Sequence, residues 1–218
     1  MTGFAPIWPP TAENIQAAAR ALAEGRLVAF PTETVYGLGG DATNEHAVAA
    51  IFEAKGRPRF NPLIIHFADR DAARREVRFD DRAEALADVF WPGPLTLVLR
   101  ATQGNFPPEV VGEGGTVAIR ASPHPAVLAV LDELGEPITS TSANLPGEPP
   151  AATAEAVRAV LDALAPGEPV WILDAGPLPP SLPSTVLAVT GGRPRLLRAG
   201  AVSVDELRQV VGEIDELG

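Results

Sequence analysis

Lys55 and Arg57 stand two residues apart at the end of a helical pattern, and Pro58 and Asn61-Pro62 stiffen the chain after them. A lysine supplies a compact point charge and an arginine a planar fork of donors, a pair suited to phosphate or carboxylate. Spacing alone fits two readings, an anion clamp or a solvated helix C-terminus whose dipole favours cations. A second polar group is the run of four hydroxyl residues from Thr139 to Ser142, followed by Ala143 and Asn144. Strand alternation puts Ser140 and Ser142 on one face and Thr139 and Thr141 on the other. An Asn-containing turn bonding its own backbone accounts for Asn144 but less well for four consecutive hydroxyls.

A third group is Pro31-Thr32-Glu33-Thr34-Val35-Tyr36-Gly37-Leu38-Gly39-Gly40. The apolar run Leu27 to Phe30 reads as a buried strand that stops at Pro31, which has no N–H for a ladder. Thr32, Glu33 and Thr34 then present two hydroxyls and a carboxylate at its tip, and a Gly-Leu-Gly-Gly turn is expected before the next helix. Glu33 suits a general base by residue type, and equally an orienting acceptor for Tyr36 or a backbone amide. His66 lies on a strand face with Ile64, and Arg120 on one with Ala118 and Thr116. An inward arginine at a strand end needs an anionic partner, from the protein or from a ligand.

The elements that carry these groups follow from periodicity and caps. Thr11 caps a helix from Ala12 to Glu24 with Gly25 as its stop, and Val48, Ile51, Phe52 and Lys55 share a helix face. Leu63 to Phe67, Leu95 to Arg100, Thr116 to Arg120, Ile138 to Thr141 and Val170 to Leu173 read as strands. Helices are expected over Asp80–Phe90, Pro125–Leu134 and from the Thr153 cap to Leu164. Thr185 to Val189 and Arg195 to Arg198 form a hairpin about Gly191-Gly192, and Ser203 with Glu206 forms a capping box. Strands and helices do not alternate strictly. The expected fold class is therefore α/β (α+β), a mixed twisted β-sheet flanked by helices. Leu145 to Ala152 and Pro177 to Pro183 are proline-rich connections and candidate mobile loops.

The motifs PTETVYGLG, KGRP with NPL, and STSAN resemble the threonylcarbamoyl-adenylate synthase family, also called the YrdC/Sua5 family. The resemblance extends from about Ala12 to about Glu206. It includes Trp91-Pro92-Gly93-Pro94-Leu95-Thr96, Ala118-Ile119-Arg120, Pro183-Ser184-Thr185-Val186 and Leu197-Arg198-Ala199-Gly200. It implies a single YrdC-like domain over residues 1–218, of the YrdC/RibB-like (DHBP synthase-like) fold, without the second domain of longer relatives. It implies a nucleotidyltransferase that joins L-threonine, bicarbonate and ATP into threonylcarbamoyl-AMP and pyrophosphate, for modification of adenosine 37 in tRNA. The implied catalytic tetrad is Lys55, Arg57, Ser142 and Asn144. Asn61, Ser140 and Arg198 join the tetrad around ATP, and Thr32, His66, Arg120 and Ser184 surround threonine. Two departures from the family pattern are Pro179, Pro180 and Pro183 in a stretch that is usually Gly-rich with a Glu, and Ala199 where Pro is usual.

The remaining features bound the reading. There is no Walker motif, dinucleotide glycine fingerprint or metal-ligand spacing, so any metal is expected to be Mg²⁺ carried by ATP phosphates. The formal net charge of −11 opposes a broad nucleic-acid surface. Contact with tRNA is expected to be weak or indirect, with transfer left to a separate downstream machinery. A non-enzymatic RNA-binding module and a sister carbamoyl-adenylate enzyme are the alternatives. The chain has no cysteine, which excludes disulfides and fits a cytoplasmic location. Neither a signal peptide nor a membrane span is expected.

Overall fold

The computed structural model describes residues 6–58, 63–102, 104–164 and 170–216. Within them, eleven strands form one sheet. They are β1 (Ile7–Trp8), β2 (Val28–Pro31), β3 (Tyr36–Asp41), β4 (Ile64–Phe67), β5 (Val77–Arg78), β6 (Leu95–Ala101), β7 (Thr116–Ala121), β8 (Ile138–Ser142), β9 (Trp171–Leu173), β10 (Thr185–Ala188) and β11 (Arg195–Arg198). Their order is β1-β9-β2-β3-β8-β4-β7-β6-β10-β11, with β5 paired to β6. Parallel pairs (β1/β9, β2/β9, β4/β7, β6/β10) are mixed with antiparallel ones, as the irregular succession of elements requires.

Among the described residues seven helices cover the sheet unequally: α1 (Ala12–Ala23), α2 (Glu45–Lys55), α3 (Arg70–Glu76), α4 (Asp81–Phe90), α5 (Pro125–Leu134), α6 (Ala154–Leu164) and α7 (Val204–Val211). Leu95, Leu97 and Leu99 of β6 and Ile119 of β7 join α2, α4, α6 and α7 in the larger apolar cluster. On the other face α1 and α5 pack on Val28, Phe30, Ile138 and Leu173, and this smaller cluster ends at β8. Beyond β8 that face carries Ile64, His66, Ala118, Arg120, Thr96, Val98 and Arg100 instead of a continuous apolar stripe. The uneven cover leaves a polar stretch of sheet open to a ligand.

Local chemistry explains most boundaries. Thr11, Asn44, Asp69, Asp80 and Ser203 accept backbone N–H groups as N-caps, and Ser203 with Glu206 completes the capping box. The expected Gly-Leu-Gly-Gly turn is instead strand β3, the second arm of a hairpin with β2. Its glycines serve close packing. A Cβ on Gly39 would lie 2.7 Å from both Phe30 Cε1 and the Thr139 carbonyl oxygen. Helix α3 has no apolar periodicity and buries only Ala73. It rests on the Asp69 cap and on the ion pair of Arg74 with Glu84 of α4, so its sequence shows little of it.

Candidate active site

Register brings the polar residues into one row. His66 of β4 pairs with Arg120 of β7, and Ile64 pairs with Ser140 of β8, so all four side chains share a face. Gly37 and Gly39 of β3 sit opposite Ser142 and Ser140 on that face. Having no side chains there, they admit the Phe30 ring from β2, which meets the His66 ring edge-on at 6.0 Å. His66 is 1% exposed, and its Nε2 shares a 2.8 Å hydrogen bond with Ser140 Oγ. Burial, then the neighbouring Arg120, holds its pKa well below the ordinary value, so the ring is neutral.

The connection between β2 and β3 closes one side of the row. Thr32 Oγ donates to the Val35 carbonyl at 2.7 Å and accepts the N–H groups of Thr34 and Val35, which fixes the turn. Arg120 is 4% exposed and donates from Nη1 to Thr34 Oγ1 at 3.2 Å. The same Nη1 lies 3.6 Å from Glu33 Oε1. Glu33 Oε2 accepts from Ser122 Oγ. Glu33 thus turns to Arg120 and Ser122, not to Tyr36. Tyr36 instead donates to the Gly176 carbonyl at 3.0 Å, and burial, then Asp174, pushes its pKa up to about 12.

On the far side, Ser184 Oγ meets Thr96 Oγ at 2.8 Å, and Arg198 donates to the Ser184 carbonyl at 2.9 Å and to Ser184 Oγ at 3.0 Å. Gly200 is required for this corner. A Cβ there would lie 2.3 Å from the Pro183 carbonyl oxygen and 2.6 Å from Thr185 N. The proline-rich segment before Ser184 is tied down by Ser181 Oγ, which donates to the Thr34 carbonyl, and by Leu178 N bonded to the Ala152 carbonyl. Both proline-rich connections reach the site, through Pro150 and Pro183.

These groups enclose a cavity of about 250 Å³. Of the expected residues, Thr32, Arg57, His66, Arg120, Ser140, Ser142, Ser184 and Arg198 line it. Lys55 and Asn144 lie outside that wall and support it. Lys55 Nζ donates to the Ser142 carbonyl at 3.0 Å, to Asn144 Oδ1 at 2.9 Å and to the Asn144 carbonyl. Ser142 Oγ also donates to Asn144 Oδ1, at 2.7 Å. Arg57 Nη1 donates to Thr141 Oγ1 at 3.3 Å. Asn61 lies outside the described residues. Thr34 and Thr141, from the hydroxyl groups noted in the sequence, belong to this network, as do Thr96 and Ser122, which residue type alone did not single out. Thr96 and Thr34 sit inside quoted motifs, and only the sheet register shows what they touch.

The electrostatics are those of an anion site. Burial, then repulsion from Arg57, brings Lys55 down to about 8. Burial is also the main cause lowering Arg57, Arg120 and Arg198, and Arg198 lowers Arg57 and Arg120 further. Cations that disfavour one another's charge across a cavity gain most from a negatively charged ligand. Among the described residues no group of three or more His, Cys, Asp or Glu is placed to hold a metal ion. No helix of the described residues is long and apolar enough to cross a membrane.

Residues 20–200 match the Sua5/YciO/YrdC family model, which is described as "Telomere recombination". The chain belongs to the Sua5/YciO/YrdC family. It is 44% identical over 202 residues to a Bacillus subtilis protein named threonylcarbamoyl-AMP synthase, covering 92% of this chain and 57% of that one. It is 38% identical over 201 residues to a Mycobacterium tuberculosis protein named putative threonylcarbamoyl-AMP synthase, covering 91% of this chain and 89% of that one. The crystal structure of Pyrococcus abyssi Sua5 complexed with L-threonine superposes with a TM-score of 0.88 at 40% identity, over 97% of this chain and 61% of that chain. E. coli YciO superposes at 0.82 with 26% identity, over 95% of this chain and all of that one. The chain thus spans a little over half the length of several of these Sua5-type relatives.

Proposed function

We propose that this member of the Sua5/YciO/YrdC family is an L-threonylcarbamoyl-adenylate synthase. One observation carries the reading: a buried arginine, two less buried ones, a neutral histidine and a row of hydroxyls converge on one cavity, in a fold shared with a threonine-bound relative. The reaction needs two anions side by side. The amine of L-threonine and bicarbonate form a carbamate with loss of water. A carbamate oxygen then attacks the α-phosphorus of ATP, the α–β P–O bond breaks, and pyrophosphate leaves.

In this assignment Arg120 takes the threonine carboxylate, with Thr32, His66 and Ser184 around the remaining polar groups. Neutral His66 is suited to exchange a hydrogen bond with the substrate hydroxyl, as it does with Ser140. Arg57 and Arg198 face the phosphates, and Ser140 and Ser142 supply neutral contacts to the nucleotide. Lys55 and Asn144 hold the Ser142 end of β8 in place. Positioning and charge offset supply the catalysis, with no covalent intermediate on the protein. Any Mg²⁺ would come with the nucleotide as part of the substrate, and would help offset charge on the leaving group beside Arg57 and Arg198. The product's threonylcarbamoyl group is passed to tRNA by other proteins, with AMP as the leaving group.

The test is pyrophosphate release with each substrate omitted in turn. Release is expected only with threonine, bicarbonate and ATP together. The same rate without threonine would replace the reading with a simple ATPase.

A further inference from the structure

A cavity that takes a carboxylate at one end and a triphosphate at the other has to keep them apart. Both are anions, and several cations line or support the wall. The structure treats those cations differently. Lys55 is held by neutral oxygens of Ser142 and Asn144, and Arg198 by the neutral oxygens of Ser184. Arg120 alone of these three has a carboxylate beside it, with Glu33 Oε1 at 3.6 Å from Nη1. That oxygen is buried and accepts no hydrogen bond, so its charge is directed at Arg120 and not spent on a donor. The other oxygen is anchored by Ser122 Oγ, which also receives the N–H of His124 at 3.3 Å, at the start of α5. Glu33 does not line the cavity, which leaves it poorly placed to take a proton from a bound substrate.

We infer that Glu33 is a specificity-determining residue that reserves Arg120 for a singly charged carboxylate and turns polyvalent anions away from it. The inference rests on the function proposed above and deepens it. With Glu33 in place the Arg120 end is close to charge-balanced. A monocarboxylate still gains direct charge-assisted hydrogen bonds from the guanidinium. Each further negative charge on a ligand meets Glu33 across a poorly screened interior. Phosphate, pyrophosphate and the ATP tail are therefore steered to the Arg57 and Arg198 end, and the two substrates do not exchange places.

Glu33→Gln keeps the size and the bond from Ser122 and removes the charge. In the parent, sulfate and pyrophosphate are expected to compete with ATP and not with threonine. In Glu33→Gln sulfate is expected to compete with threonine as well, with its inhibition constant against threonine lowered by about tenfold or more. Sulfate should also raise the melting temperature of Glu33→Gln more than that of the parent. An unchanged competition pattern together with unchanged sulfate stabilisation overturns the inference. So does a turnover loss above about a hundredfold with disappearance of an acidic limb from the pH profile, the result expected of a general base. Where the glutamine variant does not fold, Glu33→Asp withdraws the charge by one methylene and should show the same shift in smaller measure; no shift there is equally decisive against it. The melting measurement needs no turnover. A parent without threonine-dependent pyrophosphate release sinks the synthase reading, and the sulfate response then still judges Glu33.

Discussion

Replacing Lys55 by methionine separates what this side chain does for the site from what it does for the fold. Lys55 is 7% exposed, and its ammonium contacts three oxygens of Ser142 and Asn144. Hydrogen bonds from a charged donor are worth about 1.5–3 kcal/mol each. If one such bond sets the reactive position of the Ser142–Asn144 segment, its loss slows turnover by about tenfold to a hundredfold. Stability should change far less. Burial and Arg57 lower the ammonium from 10.5 to about 8. That drop is an unfavourable contribution of about 3 kcal/mol, which methionine relieves. Asn144 Oδ1 also keeps its Ser142 donor. With Oδ1 still satisfied, two carbonyl bonds are lost; at the low end of that range they cost about 3 kcal/mol, which the relieved charge offsets, and the melting temperature should stay within about 5 °C.

Lys55→Arg should not rescue, because a planar fork cannot place its donors where one point reaches three oxygens. The sign of the pH effect follows from the lowered value. Between about 8 and 10.5 the unfolded chain holds a proton that the folded protein has released, so this group's contribution to stability rises with pH across that window. Activity runs the other way, falling as pH rises through about 8, and the methionine variant should lack that limb. The assays are steady-state pyrophosphate release and thermal denaturation on the same preparations. Turnover within twofold of the parent would refute the reasoning. So would a loss of activity that only follows a collapse in melting temperature, which would make Lys55 a fold residue.

Arg120→Ala should raise the threonine KM strongly and leave the ATP KM nearly unchanged; kinetics with both substrates varied would show a defect confined to ATP if the assignment is wrong. Serine lacks only a methyl group and should be a poor but real substrate, by about 1–3 kcal/mol, whereas valine leaves a buried polar group unpaired and should fail more completely. Gly200→Ala drives a methyl into the Pro183–Thr185 backbone and should cost about 1–3 kcal/mol while displacing Ser184 and Arg198, read as a lower melting temperature with a raised threonine KM. His66 is buried with its pKa lowered, so the unfolded chain takes up a proton near pH 6.5 that the folded protein refuses. Stability should fall below that pH by up to about 1.4 kcal/mol per pH unit, and His66→Gln should remove this loss in melting curves between pH 7 and 5.

Much of the backbone was legible because its signals are local. The caps at Thr11 and Ser203, the proline opening α5 and the apolar spacing of α2 act within one or two turns, and all appear as expected. The expected site residues could be named one by one from motifs, because residue type is itself a statement about chemistry. Helix α3, the two-residue strands β1 and β5, and the true nature of the Gly37–Gly40 segment were not legible. Each depends on a partner outside its own segment: Glu84 for Arg74, β9 for β1, β6 for β5, and Phe30 and Thr139 for the glycines.

The tertiary structure alone decided how the site residues share their work. Lys55 and Arg57 are two apart in sequence, yet one supports the wall from behind and the other lines the cavity, because the helix ends between them at Gly56 in a left-handed conformation. Glu33 stood open between general base and orienting acceptor until the pairing of β4 with β7 placed Arg120 against the 32–35 turn. The sequence by itself determined the inventory of charges and hydroxyls and the elements that carry them. Which of them meet, and which are left facing a ligand, was decided by sheet register, since a shift of one residue in any of these strands would turn His66, Arg120 or Ser140 to the opposite face.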